Sequence, residues 1–272
     1  MTAIEAWLHT RGRARHRDYR FLGPAPQPAW WREYAGATTF EQPTILVQSD
    51  GGRWQAYLSG IPSGRRDAVG STIRFSVVLE GHAGAGEYVL ALVACWLDDQ
   101  DRGGASSVSA ALDAAFPEAV VERLIDLGDD AGDEAAERVV DALAALPAPV
   151  AAGGAAARSF LGDLADRAAR EVFLARVEEL LGGQPGRALV LNLVGSPADV
   201  TPLLDDARPL AVLAPELEAP LVPLRRTGAT PGKAEPPREP TRRRVGARAL
   251  AALVMVAALA LAGTLAVVLL LL

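Results

Sequence analysis

The chain reads as an α+β fold: an N-terminal antiparallel β cluster, central helices, a late strand, and then one C-terminal transmembrane helix. Three observations predict it. Runs rich in β-branched and aromatic residues crowd the first 82 positions, helix-period apolar stripes dominate 87–181, and residues 249–272 contain no charged side chain.

Segments 44–48 (TILVQ) and 53–60 (RWQAYLSG) flank Ser49, Asp50, Gly51 and Gly52, so they form a hairpin around a Gly-containing turn. Segment 71–81 supplies a third strand, with Ile73, Phe75 and Val77 on one face and Arg74 and Ser76 on the other. It then turns apolar throughout, as a strand covered on both sides does. Helices follow at 87–97, at 117–127, where Pro117 suits a first turn, and at 133–146. In the last of these Ala135, Val139, Ala142, Leu143 and Leu146 form one stripe. A longer helix is expected at 155–181, after the breaker PAPVAAGG and before Gly182 and Gly183. Residues 188–194 read as a buried strand, after which Ser196 caps a helix starting at Pro197; 210–213 adds a short strand. The sheet is partly parallel if the late strand joins the early ones.

The C-terminal segment reads ALAALVMVAALALAGTLAVVLLLL, with Thr264 its only hydrogen-bonding side chain. At a rise of about 1.5 Å per residue it reaches about 36 Å, enough to cross a hydrocarbon core of about 30 Å. An interfacial helix would need a charged face, which this segment lacks. Arg242, Arg243, Arg244 and Arg248 crowd its N-terminal side, which places the preceding domain in the cytoplasm. No apolar run follows the N-terminal basic residues, so no signal peptide is expected, and the span is read as a tail anchor at the inner membrane. Three parts result: 1–224 as a cytoplasmic α+β domain, 225–248 as a basic Pro/Gly-rich linker, and 249–272 as the membrane segment. Pro215, Pro220 and Pro223 suggest an extended strap where the domain ends.

Charge is distributed unevenly. The linker 225–248 carries eight basic against two acidic residues, net +6, and the overall charge of −6 leaves −12 for the rest. A basic stalk suits an anionic lipid leaflet, and an acidic domain argues against duplex nucleic acid as its ligand. Lys233 is the sole lysine among many arginines, a bias that fits a high-GC bacterial genome. Cys95 is the single cysteine, so no intramolecular disulfide exists, and it reads as a small core residue.

The most suggestive stretch for a ligand runs from Ser59 to Gly70, read as a loop. Ser63 offers a hydroxyl, Gly64 lets a ligand approach the backbone, Arg65 and Arg66 supply forks for phosphate or carboxylate, and Asp67 orients one of them. The competing reading is an ordinary connection whose charges are solvated; no P-loop spacing is present. Gly195, Ser196, Pro197, Ala198 and Asp199 lie at a strand end where α/β folds hold ligands, but a capped helix start needs the same residues. Arg11, Arg13, Arg15, Arg17 and Arg20, with His9 and His16, read as a solvated arm. Trp30, Trp31 and Tyr34 read as a short helix packing rings on the sheet. His9, His16 and His82 are all the histidines, no two at helical ligand spacing, so no metal or other cofactor is expected and no Ser/His/Asp hydrolase emerges. Asp98, Asp99 and Asp101 lack the ligand series of a Ca²⁺ loop.

The layout resembles, in general plan, membrane effectors of bacterial conflict systems, in which a cytoplasmic domain regulates a short transmembrane segment; no family-specific motif accompanies it. The expected role is a non-enzymatic sensor or adaptor that binds a protein partner or an anionic ligand beside the bilayer. Ala258, Ala262 and Ala266, with Gly263 alongside, recur at helical spacing and would let membrane helices pack as a homo-oligomer. The alternative is a membrane-associated enzyme acting on a phosphorylated or nucleotide-like ligand through Arg65, Arg66 and Asp67.

Overall fold

The structure, a computed structural model, describes residues 4–14, 16–39, 42–102, 107–148, 159–204, 208–217 and 221–224. The chain divides into two units, Met1–Thr227 and Gly228–Leu272. The linker 225–248, the expected membrane segment 249–272, its flanking Arg242, Arg243, Arg244 and Arg248, and the stripe Ala258, Ala262 and Ala266 lie outside the described residues. Among the described residues no helix is long and apolar enough to cross a membrane.

The first unit is a mixed α+β fold built on one large sheet. In chain order its elements are β1 (Glu5–Thr10), β2 (Arg20–Phe21), a 3-10 segment (Trp30–Ala37), β3 (Thr44–Ser49), β4 (Arg53–Arg66) and β5 (Thr72–His82). Helices α1 (Glu87–Arg102), α2 (Ser107–Ala115), α3 (Glu118–Leu127) and α4 (Gly132–Ala144) follow. Then come β6 (Phe160–Asp163), α5 (Arg167–Leu181), β7 (Gly186–Val190), α6 (Pro197–Val200), β8 (Leu210–Ala214) and β9 (Leu221–Pro223). The strands lie in the order β2-β1-β5-β4-β3-β7-β8-β6-β9. Pairing is antiparallel from β2 to β7, parallel from β7 through β8 to β6, and antiparallel again at β9. The late strand β7 does join the early ones, but antiparallel to β3; the parallel part of the sheet lies among the late strands β7, β8 and β6.

Strand periodicity sorts the side chains between the faces. Leu8, Phe75, Val77, Leu79, Trp54, Leu58, Ile45, Val47, Val190 and Leu213 point to one face. There they meet Val89 and Leu92 of α1, Leu112 of α2, Leu124 of α3, Val139 of α4, and Phe173 and Val177 of α5. Leu46, Leu189, Val212 and Leu161 point the other way, where Trp30, Tyr34, Val194 and Val200 cover them. Trp54 is fully buried and donates its indole N–H to the His82 carbonyl at 2.8 Å. Its ring lies so close to the facing strand that a side chain on Gly81 would begin 2.3 Å from it.

The hairpin at Ser49–Gly52 forms as expected: Asp50 Oδ1 accepts from the Gly52 and Arg53 N–H groups at 2.9 and 2.8 Å. Three expectations are corrected. The strand expected to end at residue 60 continues to Arg66, so Ser63 to Arg66 belong to β4 and not to a free loop. Register shifts after Leu58 and after Pro62 absorb the breakers. Gly60 has φ +74 there, and a side chain would meet Gln42 backbone at 2.5 Å. The helix expected over 155–181 is β6 followed by α5; Asp163 and Asp166 accept from the N–H groups of Ala165 and Ala168, which stops the strand and starts the helix. Finally, the basic arm is solvated only in part: His9 lies in β1 and Arg11 and Arg17 are half-buried, Arg13, His16 and Arg20 are exposed, and Arg15 lies outside the described residues.

Candidate functional site

Across the face of the sheet opposite the helices, one row of aligned residues is polar. Glu5 pairs with Glu80, Glu80 with Gln55, Gln55 with Gln48, and Gln48 with Arg187. The next row, two residues along each strand, is Trp7, Val78, Tyr57, Leu46, Leu189 and Val212. Two adjacent rows of one surface thus differ sharply in chemistry.

The polar row is joined by hydrogen bonds from strand to strand. Tyr34 donates to Gln48 Oε1 at 3.4 Å, Gln48 Nε2 donates to Gln55 Oε1 at 2.8 Å, and Gln55 Nε2 donates to Glu80 Oε1 at 2.9 Å. Arg53, the first residue of β4, closes the series on Glu80 Oε2 at 3.3 Å. Glu80 is 7% exposed. Burial pushes its carboxyl above the ordinary range, opposed by the Gln55 hydrogen bond and by Arg53. At the far end Arg187 donates to the Leu203 carbonyl.

Over this row lies a cavity of about 470 Å³, lined by Glu5, Trp7, Gln48, Arg53, Gln55 and Glu80 from the sheet, and by Gln27, Pro28, Ser49, Asp50 and Arg208 around it. Beside it runs a file of rings. Trp31 stacks on Tyr57 at 5.3 Å with planes 8° apart, Phe21 tilts toward Trp31 at 6.0 Å, and His9 lies 4.9 Å from Phe21 and 5.7 Å from Tyr19. Burial lowers the His9 pKa to about 4, so its imidazole is neutral at pH 7. The short helix expected at Trp30, Trp31 and Tyr34 packs its rings on the sheet in this way.

The residues expected to meet an anion have partners within the chain. Ser63 Oγ donates to Asp113 Oδ1 at 2.6 Å and the Gly64 N–H donates to Asp113 Oδ2 at 2.7 Å, fastening β4 to α2. The Arg65 guanidinium donates to Ser63 Oγ at 3.1 Å, to the Arg11 carbonyl at 3.0 Å and to Thr10 Oγ1 at 2.8 Å, and lies 4.9 Å above the Phe75 ring. Arg66 donates to Gly70 O and Thr72 Oγ1, both at 3.1 Å. Asp67 accepts from the Val69 and Ser71 N–H groups and pairs with Arg11 at 3.5 Å. These groups meet in space, but they spend their hydrogen bonds on holding β4, β1 and the β4–β5 turn together.

Arg13 and Arg17 are likewise engaged, with Glu118, Glu122 and Asp126 on α3 at 3.5, 3.0 and 2.8 Å. Asp199 accepts from the Gly195 and Ser196 N–H groups and from the Ser196 hydroxyl at 2.9–3.1 Å, the capping role that the sequence suggested. No cluster of metal-ligating side chains is present among the described residues.

Sequence reading missed the cavity, although two signals pointed to it. Pairing outward from the turn puts Gln48 opposite Gln55, and Glu80 is a lone carboxylate in the apolar run VVLEG. Comparison of this chain with family models, curated proteins and solved structures finds no match, so its functional reading rests on its own residues.

Proposed function

We propose that this chain is a non-enzymatic, membrane-tethered bacterial sensor or adaptor whose cytoplasmic head binds a ligand in the cavity over the polar row. The carrying observation is the row itself: Gln48, Gln55 and Glu80 form a hydrogen-bonded floor open to about 470 Å³. Burying such groups beneath a cavity costs stability that an apolar row would not, and small-ligand sites use a few placed polar groups in this way. Binding is favoured over catalysis because Glu80 is bonded to Gln55 and Arg53 and, among the described residues, is not paired with a nucleophile. The tether rests on the uncharged segment 249–272 and its four flanking arginines. Ligand occupancy passed through the linker to membrane helices packed along Ala258, Ala262 and Ala266 would complete the device. The enzyme reading through Arg65, Arg66 and Asp67 has less support, since those side chains bond within the fold.

The test is a thermal-shift screen of the full chain, in membrane mimetic, against soluble metabolites. A ligand that raises the melting temperature of the natural chain should leave Gln55→Leu unmoved. Equal shifts in both would remove the cavity from the account.

A further inference from the structure

We infer that the cavity is a site for a neutral saccharide of one or two rings, an inference that rests on the proposed binding role. Size comes first. The volume of about 470 Å³ lies in the range, about 300–1,000 Å³, of sites for small organic molecules, whereas a lone phosphate or metal ion would leave most of it empty.

Charge narrows the class. Glu5, Asp50 and Glu80 face Arg53 and Arg208 around one cavity, so an anion meets three carboxylates and a cation meets two guanidinium groups. Two of the carboxylates are committed, Glu80 to Arg53 and Gln55, and Asp50 to the turn N–H groups. A neutral ligand incurs neither repulsion and asks for no change in these pairs.

The hydrogen-bonding inventory narrows it again. The carboxamides of Gln48 and Gln55 each spend one N–H on the next member of the row and retain a second, Glu80 retains lone pairs on both oxygens, and Arg53 retains donors beyond its bond to Glu80. Donors of Gln48, Gln55 and Arg53 and acceptors of Glu80 therefore stand side by side on adjacent strands about 4.8 Å apart. Hydroxyl groups both donate and accept, and neighbouring hydroxyls on a ring match planar groups that present two heteroatoms side by side. Trp7 completes the set. It stands two positions along β1 from Glu5, on the same face, and gives the cavity a flat apolar wall for the C–H face of a sugar ring. Trp31, by contrast, is already stacked on Tyr57.

Titration calorimetry on the full chain tests this, in a polyoxyethylene detergent so that no sugar headgroup competes. The probes are glucose, N-acetylglucosamine and maltose, with adenosine, putrescine and inorganic phosphate as contrasts. At least one saccharide should bind saturably, and Gln55→Leu and Trp7→Leu should each weaken it by about tenfold or more while their melting curves keep the natural shape. Either variant suffices if the other fails to fold. Binding of adenosine, putrescine or phosphate alone, lost in Gln55→Leu, would overturn the saccharide class and keep the cavity as a site. No Gln55-dependent binding of any probe would overturn both.

Discussion

Strands β6, β7 and β8 bury apolar side chains on both faces, whereas β1, β5 and β4 interrupt the face opposite the helices with Glu5, Glu80 and Gln55, even though Val78 on that face is fully buried. Around β7, α5 covers one side while the Trp30–Ala37 segment and α6 cover the other, and each apolar residue on either face gains burial. Among the described residues no such second layer lies over Glu5, Glu80 and Gln55, where the cavity opens instead. A sheet needs only one buried face to stay folded, so the other face of that half is free to carry groups chosen for something besides stability. The difference separates a stabilising half from the half over which the proposed ligand site lies.

The largest effect belongs to the doubly covered half. Leu189 is fully buried in the second core between Leu46 and Val212. Leu189→Ala should cost about 3 kcal/mol, read as a lowered denaturation midpoint of the full chain. A loss below about 1 kcal/mol would mean that the second layer is not packed as described.

Next comes His9, in the ring file of the other half. Its folded pKa of about 4 lies below the ordinary 6.5, so the unfolded chain binds the extra proton. The sign follows: this stabilisation is complete above pH 6.5 and is lost as pH falls toward 4, up to about 3 kcal/mol. His9→Phe keeps a ring beside Tyr19 and Phe21 but cannot titrate. The stability gap between variant and natural chain should therefore widen in favour of the variant across that window, and a constant gap would place His9 in water.

Arg65 sharpens the contrast between a residue that looks functional and one that is structural. Arg65→Lys keeps the charge but cannot reach Ser63 Oγ, Arg11 O and Thr10 Oγ1 together, and should cost about 2 kcal/mol with ligand binding in the cavity unchanged. Loss of anion binding without loss of stability would instead restore the reading of Ser63, Gly64, Arg65, Arg66 and Asp67 as a ligand site.

Much of the fold was legible because its signals are local. The Asp50–Gly52 turn fixes its own hairpin, and the stripe from Ala135 to Leu143 fixes α4. What escaped was set by distant partners. Phe160–Asp163 is four residues long, too short for a period to separate strand from helix, and its place between β8 and β9 makes it a strand. Arg17 of the N-terminal arm looks solvated until α3, more than 100 residues later, brings Glu122 and Asp126 to it, whereas Arg13 stays largely exposed beside Glu118. The cavity is the extreme case. Its lining runs from Glu5 to Arg208, and composition carries no trace of a row assembled from β1, β5, β4 and β3.

Glu80→Gln should change stability least, by less than about 1 kcal/mol at neutral pH, and its sign is the informative part. Burial raises the Glu80 carboxyl above its ordinary 4.5, so the ionised group is the less favoured one in the fold. A raised carboxyl stabilises the fold only below that value, and the contribution is lost as pH rises through the folded pKa. A neutral carboxamide removes the desolvation cost while one oxygen can still accept from Gln55. The lost bond from Arg53 costs little, because that side chain is 53% exposed and water replaces its partner. Glu80→Gln should then match or exceed the natural chain at pH 7 and lose that advantage near pH 4, with cavity binding impaired throughout. A large loss of stability at pH 7 would instead make the Glu80–Arg53 pair a strut of the sheet, and the polar row would need no ligand to account for it.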